Sequence, residues 1–522
     1  MCHDARSVCY RHYNSFQKEG NRASLHSVFV PIHFVPSKLF VFSLRCLLTL
    51  SLTRKMEEIM GSFKHRKVSE MVKSDDGEDM ISQLPDGILY HILSFLPTTD
   101  AVATCILSTR WKNLWTIVPN LDFDDSSLYS TCVFGYPLKV TCFMHFVQTV
   151  LQHRNTPTIQ KFRLSCRVCF SGSHVCAWLS SAIKDNVQEL DLCLFVEEPF
   201  SLPRCVFDSK SLAVLKLEMN CVLELPDSIS FPCLKTLHLC LVTFHDDTST
   251  QGLLSGCPVL QELAILDCEW MNLKCVCLSI PSLKSLTIDD LPFFGSVDDL
   301  NGCEIQIDAA NLHFFKYNGY LTNEIYVYNL SSRMDSSIHI ALCEKRKQLA
   351  IRAAKLFTGL NNSSSLRISV GSVMSLFVAD DVLDRLPVFH NLTHLHLSKR
   401  LENQTIGALV ELIRSFPNLE SLNFPEGLEF CMAAEENDWI LKSIPTCFLS
   451  SLKTVNYCHF HAKDMEICFI KLLLSFAIVL EQMNIFCSHS SLQDPLKISE
   501  VRTHLHSHPK GSDHCEIMFI EA

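Results

Sequence analysis

A short apolar pattern, Leu-x-x-Leu-x-Leu with conservative variants, recurs through most of this chain of 522 residues. Its copies begin at Ile159, Val187, Leu212, Leu234, Leu260, Leu283, Leu312, Leu392, Leu419 and Leu452. The first seven copies are separated by 22 to 29 residues. In the 80-residue interval after the seventh copy, DSSIHI and SSSLRI keep the last two apolar positions and restore the spacing. This persistence predicts a repeat array of about a dozen units.

The alternation within each copy indicates a strand, because successive side chains of a strand point to opposite faces. A period in the twenties with this motif is typical of leucine-rich repeats, in which each unit adds one strand to a curved parallel sheet. Both leucines of Leu-x-Leu are then buried, and the residue between them faces outward. Outward positions are predicted at Lys216, His238, Ala264, Thr287, Lys316 and His396. They are chemically mixed and indicate no single ligand charge.

A pair of residues, each following one copy of the motif, suggests how neighbouring units are joined. Asn220 and Cys268 stand where such repeats use Asn or Cys to bond adjacent backbones. Most other copies lack a residue of this kind, so an irregular solenoid is expected.

Composition limits the function classes that fit this chain. A net charge of -11, from 45 Lys and Arg against 56 Asp and Glu, gives no chain-wide basic field for nucleic acid or anionic lipid. The 26 cysteines are irregularly spaced, and several occupy apparent strand positions where a small apolar side chain packs well. A chain of this length needs no disulfide framework, so a reducing compartment, nucleus or cytoplasm, is predicted.

Residues 1–79 differ from the rest and are expected to form a disordered or doubtful N-terminal extension. Their apolar run SVFVPIHFVPSKLFVFSLRCLLTLSL is interrupted by prolines and basic residues, so its longest clean stretch is shorter than the ~20 residues that span a bilayer. No membrane partner is therefore predicted, and a targeting role is the alternative. Later starts are available at Met56, Met60, Met71 and Met80. The cluster KHRK suits nuclear import but is short enough to occur by chance.

The segment LPDGILYHILSFLPTTDAVATCILSTRWKNLW, residues 84–115, concentrates apolar side chains in three predicted short helices. Pro85 suits a first helical turn, and Pro97 ends the first helix. Thr98 or the next threonine is expected to cap the second helix, and Ser108 the third. Three helices of this size bury too little surface to fold securely alone. Part of their apolar surface is therefore expected to await a partner.

The C-terminal stretch departs from the repeat pattern. The run KDMEICFIKLLLSFAIVLEQM has helical length and spacing, and MNIFC resembles a strand. A second helix is predicted from Pro495 to His508, with a last strand from Cys515 to Ile520. We expect a small α/β element here that closes the open end of the array, as solenoids require.

The segment LPDGILYHILSFLPTTDAVATCILSTRWKNLWTIVPNLDFDD resembles the plant F-box. The resemblance implies docking onto the Skp-type adaptor of a cullin-RING ubiquitin ligase through the Leu84-Pro85 pair and the apolar helix faces. The residues to which it assigns this contact are Leu84, Pro85, Ile88, Ile92, Leu93, Leu96, Val102, Leu107, Trp111 and Trp115. A helical cap on the solenoid is the alternative for this segment, and both roles are compatible.

The C-terminal stretch is similar to the FBD domain of the plant F-box/FBD/LRR group, although the usual run of small residues is reduced to Gly511 and Ser512. The resemblance covers roughly residues 81 to 522. The expected fold is α/β: a three-helix F-box, an irregular leucine-rich-repeat solenoid and a small FBD cap. The predicted domains are 1–79, the extension; 80–125, the F-box; 126–440, the repeats; and 441–522, the FBD domain.

Other chemistry finds little support in the sequence. Zinc-ligand types cluster at Cys166, Cys169, His174 and Cys176, and again at His504, His506, His508, His514 and Cys515. Neither set has the spacing of a zinc finger. With 16 glycines and no phosphate-binding loop, and with no local signature of a nucleophile, the sequence predicts no cofactor, no metal and no catalysis.

Two functions remain in view. The first is the substrate-recognition subunit of a Skp-cullin-F-box ligase, which binds the adaptor through the F-box and an unidentified target protein through the repeats. The second is a leucine-rich-repeat scaffold without a ligase partner. A small-molecule ligand within the solenoid would be a third, but no residue marks a pocket for one.

Overall fold

The computed structural model describes residues 81, 84–126, 136–156, 158–167, 172–195, 200–270, 272–290, 302–330, 334–341, 346–377, 386–398, 401–429, 444–488 and 495–521. The predicted N-terminal extension, including its apolar run and KHRK, lies outside these ranges.

Fifteen strands in the described ranges form one parallel sheet, in chain order from one edge to the other. They are β1 (Asn120–Asp124), β2 (Lys161–Cys166), β3 (Glu189–Leu194), β4 (Val214–Met219), β6 (Thr236–Cys240), β8 (Glu262–Leu266), β10 (Ser285–Asp290), β12 (Phe314–Gly319), β14 (Asp335–Ile340), β15 (Ser365–Ser369), β16 (His394–Ser398), β18 (Ser421–Phe424), β20 (Thr454–Phe460), β21 (Gln482–Cys487) and β22 (Glu516–Glu521). Every copy of the sequence motif supplies one of them, and DSSIHI and SSSLRI become β14 and β15. The predicted solenoid is confirmed.

The return segments differ from repeat to repeat, as an irregular array implies. Short strands form three smaller sheets: β5 (Val222–Leu223) with β7 (Thr243–Phe244), β9 (Cys275–Ser279) with β11 (Glu304–Asp308) and β13 (Glu324–Tyr328), and β17 (Leu401–Glu402) with β19 (Leu428–Glu429). Helices also occur in the returns. They are α3 (Tyr136–His153), α4 (Gly172–Lys184), α5 (Arg204–Phe207), α6 (Asp247–Ser255), α7 (Arg346–Gly359), α8 (Val370–Phe377) and α9 (Asn403–Ile413). Two of them, α6 and α9, follow β7 and β17 in the same return.

Register explains the burial pattern of the sheet. Leu190 pairs with Leu215, and Leu215 with Leu237, so the inward leucines of successive strands stack in rows. All three are fully buried. The thiol of Cys268 lies 3.5 Å from the carbonyl oxygen of Leu239 on the neighbouring strand, as the repeat motif predicts. Asn220, the other predicted residue of this type, is exposed.

A buried polar network ties the turn after β12 to β10. The carboxylate of Asp290 accepts hydrogen bonds from the Tyr317 hydroxyl at 3.3 Å and from the Thr322 hydroxyl at 2.8 Å. The Tyr317 hydroxyl also accepts from the Leu321 amide at 2.7 Å, where the backbone takes a positive φ of 52°. Burial raises the pKa of Asp290 to about 6, and these hydrogen bonds oppose the shift.

The C-terminal stretch extends the sheet instead of forming a separate layer. The predicted strands and helices occur as β20, β21 and β22 with α11 (Asp464–Phe476) and α12 (Pro495–Ser507), and each strand is parallel to the one before. A further short helix, α10 (Thr446–Ser450), was not predicted. Helix α11 ends earlier than its apolar spacing predicts. The reason is that Leu480, Met483 and Ile485 repeat the strand motif and are all fully buried.

Candidate partner-binding surfaces

A proline directly precedes each of the first two helices of the F-box segment. Helix α1 spans Asp86–Leu93 after Pro85, and α2 spans Thr98–Ala103 after Pro97, with no side-chain cap bond at either. The expectation that Thr98 or its neighbour caps α2 was therefore wrong. The Thr98 hydroxyl instead accepts a hydrogen bond from the Asp122 amide at 2.7 Å, which joins α2 to β1.

The third predicted helix is a 3₁₀ helix from Trp111 to Ile117, preceded by a short 3₁₀ turn over Thr104–Ile106. The residue at its N-terminal cap position is Arg110, so the expectation that Ser108 caps this helix was wrong. Three residues per turn place Trp111 and Leu114 on one side, and both are buried. The predicted third helix is therefore present, with 3₁₀ geometry.

Three of the residues assigned to adaptor contact lie in the interior. Leu93 and Trp111 pack in the small F-box core with Leu89 and Leu114. Val102 belongs to the core of the solenoid, because α2 packs on β1. These three side chains lie inside the fold in this conformation, and their assignment to the adaptor contact stays a prediction.

The remaining residues of that set differ in exposure. Pro85, Ile88, Ile92 and Leu107 are exposed, whereas three side chains are half-buried against the F-box core: Leu84, Leu96 and Trp115. Ile88 and Ile92 are one turn apart and so lie on the same face of α1.

Two exposed apolar side chains were missed by the sequence reasoning. Phe95, directly after α1, keeps 74% of its surface exposed, and Ile106 keeps 52%. The available signal was that Phe95 follows Ile92 by three residues, which continues the apolar face of α1. We call Pro85, Ile88, Ile92, Phe95, Ile106 and Leu107 the F-box apolar set.

Arg110 fixes the start of α1. Its guanidinium donates to the Asp86 carboxylate at 2.6 Å and also to the backbone carbonyl of Leu84. This clamp links the Leu-Pro pair to the 3₁₀ helix across the segment, and both charged side chains are partly exposed. The clamp therefore orients α1 without burying a charge.

The outer face of the sheet is polar, as the alternation predicted. On β1–β3, the Arg163 guanidinium lies 2.9 Å from Asp122, 3.4 Å from Asp124 and 3.9 Å from Asp191. Lys161 pairs with Glu189 at 2.7 Å in the same way. The cations at this end of the sheet are therefore neutralised by their neighbours.

The predicted outward residues share one row of the sheet. Lys216, His238, Thr287, Lys316 and His396 are half-buried, between exposed loops and the apolar interior. The His238 imidazole nitrogen Nε2 lies 2.9 Å from the Glu262 carboxylate. Ala264 is the exception: it occupies the outward register position but is buried, because its methyl group lies below the longer side chains beside it.

Further along this row, three asparagines form a hydrogen-bonded ladder. Asn423, Asn456 and Asn484 are register partners on β18, β20 and β21. The Asn484 side-chain amide donates to Asn456 Oδ1 at 2.7 Å, and Asn456 donates to Asn423 Oδ1. This ladder joins the C-terminal strands to the repeats along the outer face.

The two sets of zinc-ligand types are dispersed. Cys166 is buried, which raises the pKa of its thiol well above the ordinary value, whereas His174 is exposed and Cys169 lies outside the described residues. In the tail, His504 contacts Lys471 and His508 contacts Ser475, at 3.1 and 3.0 Å. Within the described ranges, no three His, Cys, Asp or Glu side chains are arranged to hold a metal ion.

The helices that the structure describes include none with the length and apolar character needed to cross a bilayer.

Family models match two parts of the chain. The F-box domain matches residues 81–123, and the leucine-rich repeats of the FBD-associated F-box protein At5g56370 match residues 175–310. Both matches agree with the positions of α1–β1 and of the repeat strands.

Relatives from Arabidopsis thaliana match most of the length. F-box/LRR-repeat protein At4g14096 is 30% identical over 446 residues, covering 81% of this chain and 90% of that protein. F-box/LRR-repeat protein At3g59210 is 30% identical over 449 residues, with 81% and 91% covered. F-box/FBD/LRR-repeat protein At5g56420 is 28% identical over 446 residues, with 84% and 99% covered. With an F-box, a repeat sheet and relatives of this organisation, the chain belongs to the plant F-box/FBD/LRR protein family.

Proposed function

We propose that this F-box protein is the substrate-recognition subunit of a Skp-cullin-F-box ubiquitin ligase. The F-box apolar set binds the Skp-type adaptor and, through it, the cullin. The outer sheet face binds the target protein. Other subunits carry out ubiquitin transfer, and this chain contributes proximity, which raises the effective concentration of the target lysine near the charged ubiquitin carrier.

The observation that carries the proposal is the exposure of apolar side chains in the F-box. Ile88 and Ile92 keep 47% and 41% of their surface exposed, and Leu107 keeps 64%. Aliphatic side chains clustered in one short segment favour a protein interface, because burying them against a partner removes apolar surface from water. The F-box match over residues 81–123 supports an adaptor as that partner.

The domain limits are part of the proposal. We assign residues 80–125 to the F-box, 126–440 to the repeats and 441–522 to the FBD domain, with 1–79 as an extension. Since β1 (Asn120–Asp124) pairs with β2, the end of the F-box also provides the first strand of the sheet. Nucleus or cytoplasm is the proposed location, from the number and spacing of the cysteines.

The test is a calorimetric titration of purified Skp-type adaptor into the full chain. Ile88→Ala combined with Ile92→Ala should weaken binding by about a hundredfold, since central apolar contacts contribute on the order of 1 to 2 kcal/mol each. Ile351→Ala is the matched control, because Ile351 is exposed to a similar extent, 42%, on α7 of the repeats. It should bind as the wild type does.

Unchanged affinity of the double variant, or no binding by the wild type, would reject the ligase-subunit function. The leucine-rich-repeat scaffold without a ligase partner would then be the better description. Thermal unfolding of the same samples is the control that tests whether the variants remain folded.

A further inference from the structure

The turn before helix α1 is bonded to a side chain from the far end of the F-box segment. Arg110 donates from Nε and Nη2 to the Asp86 carboxylate, at 3.1 and 2.6 Å, and from Nη2 to the carbonyl oxygen of Leu84. These acceptors lie on either side of Pro85, and they are 24 and 26 positions from Arg110 in the sequence. One guanidinium therefore fixes two points of the turn that presents Pro85.

The start of α1 has few other contacts that fix it. Pro85 provides no side-chain cap, while Leu84 packs against the F-box core and donates from its amide to the Ile81 carbonyl at 3.2 Å. Helix α2 also follows a proline without a cap, but it packs on β1, and its first residue, Thr98, accepts a hydrogen bond from a β1 amide. The solenoid therefore positions α2, whereas the start of α1 depends on Arg110.

Arg110 is itself held in place by the F-box core. The next residue in the chain, Trp111, is buried there together with Leu114. The side chains of Arg110 and Asp86 keep 35% and 53% of their surface exposed, so their ion pair contributes little to global stability. Bonds to two points of one short turn nevertheless restrict its backbone. The main effect of the clamp is therefore on the conformation of the turn.

We propose that Arg110 is a positioning residue for adaptor binding. By clamping the turn, it holds Pro85 and the exposed face of α1 in the arrangement that the adaptor binds. This inference rests on the proposed role of the F-box apolar set in adaptor binding. It assigns Arg110 an effect that precedes contact, because a partner binds only the molecules in the competent conformation. The apparent dissociation constant rises as that fraction falls.

The test measures binding of purified Skp-type adaptor to the full chain by surface plasmon resonance and calorimetry. Arg110→Ala should weaken binding on the order of tenfold, and the loss should lie mainly in the association rate. The dissociation rate should change by less than about twofold, because the contacts of the bound state are retained. The calorimetric stoichiometry should equal that of the wild type, which separates this effect from partial unfolding.

Arg414→Ala is the matched control. Arg414, after α9 of the repeats, also keeps 35% of its side chain exposed and pairs with the Glu411 carboxylate at 2.7 Å. Its removal deletes the same side chain and a comparable ion pair outside the F-box. Adaptor binding of this variant should equal that of the wild type.

Variants of Asp86 separate the clamp from a direct contact between Arg110 and the adaptor. Asp86→Ala should weaken binding, by less than Arg110→Ala, because the bond from Arg110 to the Leu84 carbonyl remains. If Arg110 contacted the adaptor directly, the guanidinium freed by Asp86→Ala would bind at least as well as before. The double variant should bind as Arg110→Ala does, since Asp86 acts only through Arg110.

Three outcomes would overturn the inference while leaving the ligase function in place. They are wild-type affinity of Arg110→Ala, additive losses in the double variant, and a loss that lies in the dissociation rate alone. Absence of adaptor binding by the wild type would instead reject the ligase function, and this inference with it.

Discussion

In the F-box, Ile88, Ile92 and Phe95 are exposed to solvent, whereas the inward leucines of the repeat strands, such as Leu237 on β6, are fully buried. The repeats bury their leucines because each strand lies between two others with the same alternation. Among the described strands, none flanks helix α1 in this way. Its small core holds Leu89, Leu93 and a few other side chains, and the surplus remains at the surface.

The comparison also shows how the two regions are joined. Helix α2 places Val102 in the solenoid core, and the backbone carbonyl of Thr116 accepts a hydrogen bond from the Asn155 amide at 3.1 Å. The F-box segment therefore covers the first strand while α1 faces solvent. Covering the solenoid edge and binding an adaptor are compatible, since they use different sides of the segment.

The largest expected effect comes from placing a charge at an inward repeat position. Leu237→Asp should lower the free energy of unfolding by about 3 to 5 kcal/mol, because it buries an unpaired carboxylate. Ile88→Asp should change it by less than about 0.5 kcal/mol, since the side chain is exposed. His238→Asp, next to Leu237 but outward, should cost less than about 1 kcal/mol. Thermal unfolding of the three variants checks this, and equal losses would mean that the inward and outward assignment is wrong.

A second expected effect is a pH dependence of the stability of the solenoid, which comes from the buried Asp290. Because the pKa of Asp290 is raised to about 6, the folded solenoid binds one more proton than the unfolded chain between the ordinary aspartate pKa and that value. Stability should therefore fall as pH rises from about 4 to about 6, by roughly 3 kcal/mol from this group alone. Asp290→Asn removes the titrating group.

The measurement for Asp290 is urea unfolding at several pH values for the wild type and Asp290→Asn. The difference in unfolding free energy between the two should shift in favour of the variant as pH rises. Parallel pH profiles would show that the buried network does not hold Asp290 in its protonated form.

A third change examines the Leu-Pro pair. Leu84→Ala with Pro85→Ala should weaken adaptor binding by about a hundredfold, with non-additive contributions because the residues are neighbours. Pro85 is exposed, but Leu84 packs against the F-box core, so a modest loss of F-box stability is also expected. Circular dichroism should remain near that of the wild type, because the repeats are unaffected. Wild-type affinity in this variant would remove the pair from the contact.

The smallest effect concerns the clamp on α1. Arg110→Ala should lower stability by up to about 1 kcal/mol, since partly exposed ion pairs contribute little. Lys210→Ala, which breaks the more exposed Lys210–Asp208 pair in the repeats, should have almost no effect. Thermal unfolding of both variants provides the comparison. A larger loss for Lys210→Ala would contradict the greater role assigned to the F-box clamp.

The sequence determined the repeat sheet almost completely. The Leu-x-x-Leu-x-Leu spacing located its strands, and the alternation separated buried Leu237 from outward His238. Such local patterns are readable because each repeat makes the same contacts with its neighbours. The same pattern at Val118, Leu121 and Phe123 marks β1, although we had assigned these residues only to the F-box. This copy begins 41 residues before Ile159, and because that interval is longer than the 22 to 29 residues between the next copies, the sequence alone does not show it as a repeat.

Tertiary structure decided which apolar residues of the F-box are buried. Leu93 and Ile92 are adjacent in the sequence and equally apolar, yet only Leu93 is buried, against the 3₁₀ helix. Val102 faces the solenoid because α2 packs on β1, a contact between segments that helical periodicity does not encode. Lys316 and Arg367 likewise share one row only through the sheet. They lie 51 residues apart in the chain, and strand register brings them to within two strands of each other.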